Sequence, residues 1–212
     1  MSERRIRKEP RGWVVGISGA SGVAYGVRLV ERLLDMGLPV HLVISDAGWR
    51  VLKDELGWDA SKRSAALEAA FGGRKAAYRY YPNQDIGAAV ASGTFRVEGM
   101  AVVPCSMGTL AAIAHGLSDN LLERAADVTL KEGRRLVLVP RETPLNTIHL
   151  QNMLTLSQMG VRIVPASPGF YNRPQTMDEL IDFLVGKTLD VMGIDHELYK
   201  RWGEEAPDDK RE

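Results

Sequence analysis

The sequence predicts an α/β protein built on one doubly wound, mainly parallel sheet with helices on both faces. Three observations predict it. Apolar runs of strand length are rich in Val and Ile and do not alternate with polar residues, the pattern of strands buried on both faces. Stretches with helical spacing separate these runs, as right-handed crossover connections require. The chain of 212 residues suits one domain of this kind.

Trp13–Ser18 is the first predicted strand. A glycine-rich turn leads from it into a helix over Val23–Met36, with Val23, Val27, Val30 and Leu34 on one stripe and Gly37 as the stop. Pro39–Ser45 is the second strand, followed by helical spacing over Asp46–Leu56 and Ala60–Phe71; Lys75–Tyr81 reads as a further strand. Met100–Pro104 is a strand, and Leu110–Ala114 and Asn120–Leu130 read as helical. Arg135–Pro140 is a strand, Leu145–Met159 a helix, Val161–Pro165 a strand and Met177–Val191 a helix. No repeat or linker divides the chain. We expect one domain over residues 12–203, between flexible segments at 1–11 and 204–212.

Composition excludes several classes. Lys+Arg and Asp+Glu number 27 each, so the excess positive charge of a generic nucleic-acid binder is absent. One cysteine allows neither an internal disulfide nor a CxxC site. No apolar run approaches the ~20 residues of a membrane span, and Met1 to Arg11 does not read as a secretory signal. The expected compartment is the cytoplasm.

Ligands of open α/β sheets bind beyond the carboxyl ends of the strands, so the segments after each strand carry the functional reading. Gly16-Ile-Ser-Gly-Ala-Ser-Gly22 is G-x-x-G-x-x-G, neither the dinucleotide fingerprint nor a P-loop. Its small residues and the helix start behind it suit a nucleotide or flavin phosphate, or only a tight turn. Ser45 could reach a ligand there, and Asp46 reads first as a helix cap and second as a ribose contact. Ser106, Gly108 and Thr109 offer donors at another helix start, while Cys105, conceivably a nucleophile beside His115, reads as a small buried residue. The four histidines have no metal spacing; His41 and His149 read as structural. Arg141 suits phosphate binding and Glu142 acid–base work, unless the two form a surface ion pair. Phe170 and Tyr171 lie in a loop that could cover a ligand.

The segments GISGASG, VIS, PCSMGTLAAIAHGLSDNLLERAADVTLKEGRRLVLVPRETPLN and PASPGFYNRP together resemble the UbiX family of flavin prenyltransferases, from about Trp13 to Met192. The resemblance implies a Rossmann-like or flavodoxin-like fold, reduced FMN and dimethylallyl monophosphate as substrates, and prenylated FMN as product, made for a UbiD-type decarboxylase. It implies FMN contacts at Gly19, Ala20, Ser21, Ser45, Ser106, Met107, Gly108, Thr109 and Arg141. It implies donor contacts at Tyr171 and Lys187, and catalytic work for Glu142, Ser21, Lys131 and Arg141. It further implies a homo-oligomer, a dodecamer in many relatives, with the flavin near a subunit boundary. No metal is expected, since the lone Asp pair, Asp208–Asp209, stands in the tail. Some relatives carry Trp where this chain has Ile86, and Glu55 is the nearest match to a family glutamate after the second strand.

Other readings make different demands. A short-chain dehydrogenase needs Tyr-x-x-x-Lys, and none of the six tyrosines has Lys four residues on. A flavin-dependent cysteine decarboxylase would carry P-A-S-A-N-T-like and P-x-M-N-x-x-M-W segments, where this chain has PCSMGT and PRETPLN. A non-catalytic FMN carrier would bind flavin without turnover.

Overall fold

A computed structural model describes residues 11–201 and 203. The expectations for 1–11, Arg11 apart, and for 204–212, including Asp208–Asp209, fall outside the described residues. The sheet has six parallel strands in the order β3-β2-β1-β4-β5-β6. They are β1 (Trp13–Ile17), β2 (Val40–Ile44), β3 (Tyr78–Pro82), β4 (Gly99–Cys105), β5 (Arg135–Pro140) and β6 (Arg162–Ile163). This is the Rossmann-type order, which reverses between β1 and β4 and leaves a crevice there at the carboxyl edge.

Side chains alternate across each strand, so the Val- and Ile-rich runs feed two cores at once. Val15, Ile17, Leu42, Ile44, Ala101 and Val137 face α1 (Val23–Asp35), α2 (Asp46–Leu56), α3 (Arg63–Phe71) and α7 (Met177–Met192). Val14, Val43, Met100, Val102, Leu136 and Leu138 face α4 (Met107–Ala114), α5 (Leu121–Lys131) and α6 (Thr147–Gln158). A fully buried Leu or Val contributes about 1.5–3 kcal/mol, so two filled faces dominate the stability. Gly26 lets α1 lie close on β4: a Cβ there would stand 2.1 Å from the Val103 carbonyl oxygen.

Caps explain where boundaries differ from expectation. Ser106 accepts from Thr109 N–H, so α4 starts at Met107, three residues before its apolar run. Asn146 and His149 form a capping box, which starts α6 at Thr147. Residues 60–62 form a short 3-10 turn before α3. The last apolar run, Val161–Pro165, contributes only the two-residue β6, although Val164 N–H still reaches the Leu138 carbonyl of β5 at 2.8 Å.

Candidate active site

Hydrogen bonds lace together the loops at the carboxyl edge. Ser45 N–H reaches the Ile17 carbonyl at 3.0 Å, and Ser18 N–H reaches that of Pro104 at 3.2 Å. Arg141 N–H reaches the Cys105 carbonyl at 3.3 Å, and Ala166 N–H that of Pro140 at 3.0 Å. At the centre is Ser18, fully buried, whose hydroxyl donates to the Pro104 carbonyl at 3.0 Å and accepts from Ser106 N–H at 2.7 Å. It fixes the β1 and β4 loops together at the switch point. The sequence reading passed over it, although a lone hydroxyl in the apolar end of a strand is the signal that would have found it.

The two helix starts flanking this crevice differ. The first N–H groups of α1 are already taken. Both Glu55 carboxylate oxygens accept from Gly22 N–H, at 3.1 and 3.0 Å, and one also accepts from Val23 N–H at 3.1 Å. A carboxylate is favoured at this positive helix end, so the glycine loop closes on an anion of its own chain and does not offer α1 to a phosphate. The Gly19 and Gly22 positions serve that packing. A Cβ at Gly19 would meet the Ala47 Cβ at 2.4 Å, and Gly22 has φ 96°. The start of α4 is open instead. Gly108 is exposed there, and a Cβ on it would meet nothing within 4 Å. Beside it the Ser106 hydroxyl donates to Thr109 Oγ1 at 3.1 Å.

Arg141, Tyr25 and Glu55 share one electrostatic neighbourhood. Burial raises the Tyr25 phenol, the Arg141 guanidinium pulls it down and Glu55 pushes it up. Ser21, Arg141 and Glu142 are exposed at the same edge, and Glu142 accepts from Thr143 N–H at 2.9 Å. Ser45 caps α2 by accepting from Gly48 N–H at 2.9 Å, so the capping role expected of Asp46 belongs to Ser45. Asp46 accepts instead from Arg63 at 3.2 Å and from Gln84. Burial pushes the Cys105 thiol far up and holds it neutral, which makes it a packing residue beneath Ser106. His41 packs edge-on against Phe95. Among the described residues no group of three or more His, Cys, Asp or Glu side chains could hold a metal ion.

Two residues expected at the site are not brought to this crevice within one chain. Lys131 ends α5 at the amino edge of the sheet, paired with Glu132 at 2.6 Å and just before β5 starts. The six residues of β5 put about 20 Å between it and Arg141. Lys187 stands ten residues into α7, about 15 Å along that helix, 3.6 Å from Asp190. Tyr171, in the loop after β6, packs on Phe183 of α7 with ring centroids 5.6 Å apart.

The flavoprotein family pattern matches residues 1–189. The flavin prenyltransferase UbiX of Halalkalibacterium halodurans is 55% identical over 199 residues, covering 94% of this chain and 97% of that protein. The chain belongs to the UbiX flavin prenyltransferases of the flavoprotein family. Solved UbiX structures agree in fold. The AnUbiX (PadA1) complex with FMN and dimethylallyl pyrophosphate superposes with TM-score 0.84 at 41% identity, over 93% of this chain and 100% of that one. A dodecameric FMN-dependent UbiX-like decarboxylase from Escherichia coli O157:H7 gives 0.82 at 44% identity, over 90% and 98%.

Two features of this UbiX-family chain were hard to read from its motifs. Ile86, where some relatives have Trp, is 61% exposed in the segment after β3. The nearby Asn83 is buried and ties that segment to α5, its carbonyl and Oδ1 accepting from Leu121 and Leu122 N–H at 2.8 and 3.0 Å. Asn83 stands among polar turn residues in the sequence and nothing there singles it out.

Proposed function

We propose that this chain is a flavin prenyltransferase: it joins the dimethylallyl group of dimethylallyl monophosphate to N5 and C6 of reduced FMN. Its product, prenylated FMN, passes to a UbiD-type decarboxylase, and the expected compartment is the cytoplasm. Among the described residues no helix is long and apolar enough to cross a membrane. The observation that carries the proposal is the open start of α4 beside the β1/β4 switch point, in a chain 55% identical to a named flavin prenyltransferase.

The residues present fit a flavin nucleotide. Gly108 leaves room at the start of α4 that no side chain of the described residues fills. Gly19, Ala20, Ser21, Ser45, Ser106, Met107 and Thr109 are the contacts we assign around it, with Arg141 beside them. Reduced FMN supplies the nucleophilic N5 and C6. The chain's task is to help a poor leaving group depart. Arg141 stabilises negative charge on the departing phosphate, a contribution that needs no metal. Glu142 and Ser21 stand where a proton can be held or passed. Tyr171 and Lys187 take the phosphate of the donor.

Lys131 and Lys187 then reach the flavin from neighbouring copies, which places each site at a boundary in a homo-oligomer, a dodecamer like the E. coli relative. Mixing Lys131→Ala with Glu142→Gln subunits tests this. Each variant alone is impaired, and random mixed oligomers should regain activity at about a quarter of the sites, where intact Lys131 and Glu142 meet. No recovery in verified mixed oligomers would place Lys131 outside a shared site.

The deciding experiment mixes protein, reduced FMN and dimethylallyl monophosphate with EDTA present and weighs the flavin. The mass should rise by one prenyl group at the same rate with and without chelator. Tight FMN binding with no mass change would leave a carrier; loss of turnover restored by Mg²⁺ would overturn the metal-free reading. Turnover with the diphosphate alone would overturn the choice of donor.

A further inference from the structure

The C-terminal return after α7 folds back onto that helix and converges on a single carboxylate. Asp190 Oδ1 accepts from Arg201 at 2.9 Å, and Oδ2 accepts from the Tyr199 hydroxyl. The fully buried His196 ring places Nε2 3.2 Å from Oδ1, off line for a hydrogen bond. Its Nδ1 accepts from Leu198 N–H at 3.1 Å, which leaves Nε2 as the ring nitrogen that faces Asp190. Lys187 Nζ lies 3.6 Å from Oδ2, beyond hydrogen-bond reach. The return packs against α7 at Gly186, where a Cβ would meet Tyr199 Cε1 at 2.5 Å and His196 Cε1 at 2.7 Å. From Tyr199 the contacts continue to Phe183, at 5.1 Å between ring centroids, and from Phe183 to Tyr171.

We propose that Asp190 is a positioning residue for the prenyl donor: it docks the C-terminal return on α7 and thereby sets Lys187 and Tyr171 for the donor phosphate. The inference rests on the reading of Lys187 and Tyr171 as donor contacts. Its physical content lies in how the carboxylate is shared. Tyr199 and Arg201 each hydrogen-bond one oxygen, while Lys187 Nζ stays 3.6 Å from Oδ2, so the ammonium is steered by the charge of Asp190 but not held by a hydrogen bond to it. It remains available to an incoming phosphate. A free ammonium would sample many rotamers, and ordering it on binding costs affinity. Of the five groups at this cluster, Asp190 alone carries negative charge, and it lies one turn from Lys187.

The test is a double-mutant cycle read by separate titrations of donor and FMN. Lys187→Ala should weaken dimethylallyl monophosphate binding about tenfold, as loss of a charge-assisted contact does. Asp190→Asn should weaken it by about the same factor, and the double variant by little more than either, because both remove one aligned ammonium. In Asp190→Asn, FMN affinity should stay within about twofold of wild type while donor affinity falls, and Asp190→Glu should recover part of the loss. Wild-type donor affinity in Lys187→Ala overturns the reading of Lys187 itself. A tenfold loss there with none in Asp190→Asn, or losses that multiply in the double variant, overturns the role of Asp190 alone. Parallel loss of FMN affinity and thermal stability in Asp190→Asn makes its role purely structural and also overturns it. Should Asp190→Asn not fold, Tyr199→Phe carries the test. It loosens the same carboxylate, so donor binding should fall about threefold with FMN binding unchanged, and an unchanged donor affinity overturns the proposal.

Discussion

Glu142→Gln should lower single-turnover prenylation by about 10²–10⁴-fold, the usual worth of a general acid–base group. FMN and donor affinity should stay nearly intact. The asymmetry follows from charge. A carboxylate next to Arg141 and near a phosphate repels the donor, so it contributes little to ground-state binding. On the role proposed for it, its worth would lie in a proton, given to the departing phosphate or taken from flavin C6 as the new ring closes. The main-chain geometry does not depend on that charge, because Glu142 is exposed and accepts its hydrogen bond from its neighbour, Thr143 N–H at 2.9 Å. Gln keeps an amide oxygen to accept that bond, so the loop should keep its shape. The measurement is rapid-mix prenylation beside separate titrations of FMN and dimethylallyl monophosphate. Equal losses of binding and rate would make Glu142 a structural residue of the loop and remove it from the chemistry.

What could be read in advance divides along a physical line. The strands and their layer were legible because burial on both faces leaves uninterrupted Val and Ile runs, as in β1 and β4. Helix starts were less so. The apolar run Leu110–Ala114 marks only the part of α4 that packs, while its first turn is set by the Ser106 cap. The candidate site split the same way. Segments after strands carry small and polar residues for a reason visible in one dimension, so the loops after β1, β4 and β5 could be named. Which helix start stays open could not. Glu55 is 33 residues from Gly22, and only the packing of α2 against the β1 loop brings its carboxylate onto the α1 N–H groups. Lys131 shows the same limit. Its motif context places it with Arg141, yet its strand connection puts it at the far end of the sheet. Sequence proximity within PCSMGT…RETPLN says that these residues belong together, not that one chain brings them together.

Gly108→Ala should separate the demands of folding from those of flavin binding. A glycine inside a helix costs about 0.5–1 kcal/mol relative to alanine. Position 108 is the second residue of α4, exposed, with nothing within 4 Å of an added Cβ. On protein grounds alone alanine is therefore the better residue, and the flavin-free protein should melt about 1–4 °C higher. If the glycine keeps the start of α4 clear for the flavin, the same methyl should weaken FMN binding at least ~tenfold by blocking close approach to the helix N–H groups. Gly26→Ala is the contrasting change. Its Cβ would come within 2.1 Å of the Val103 carbonyl oxygen and 3.0 Å of Ile17 Cγ1, so α1 must move away from the sheet. Overpacking of this kind costs about 1–3 kcal/mol or more, and stability should fall in the flavin-free protein itself. The two variants thus move the melting temperature in opposite directions, while only Gly108→Ala loses FMN affinity without losing stability. Differential scanning of flavin-free protein, with fluorescence titration of FMN, reads both quantities. A Gly108→Ala protein that binds FMN as wild type does would move the flavin away from α4. It would then have to find another anion site, since Glu55 already occupies the start of α1.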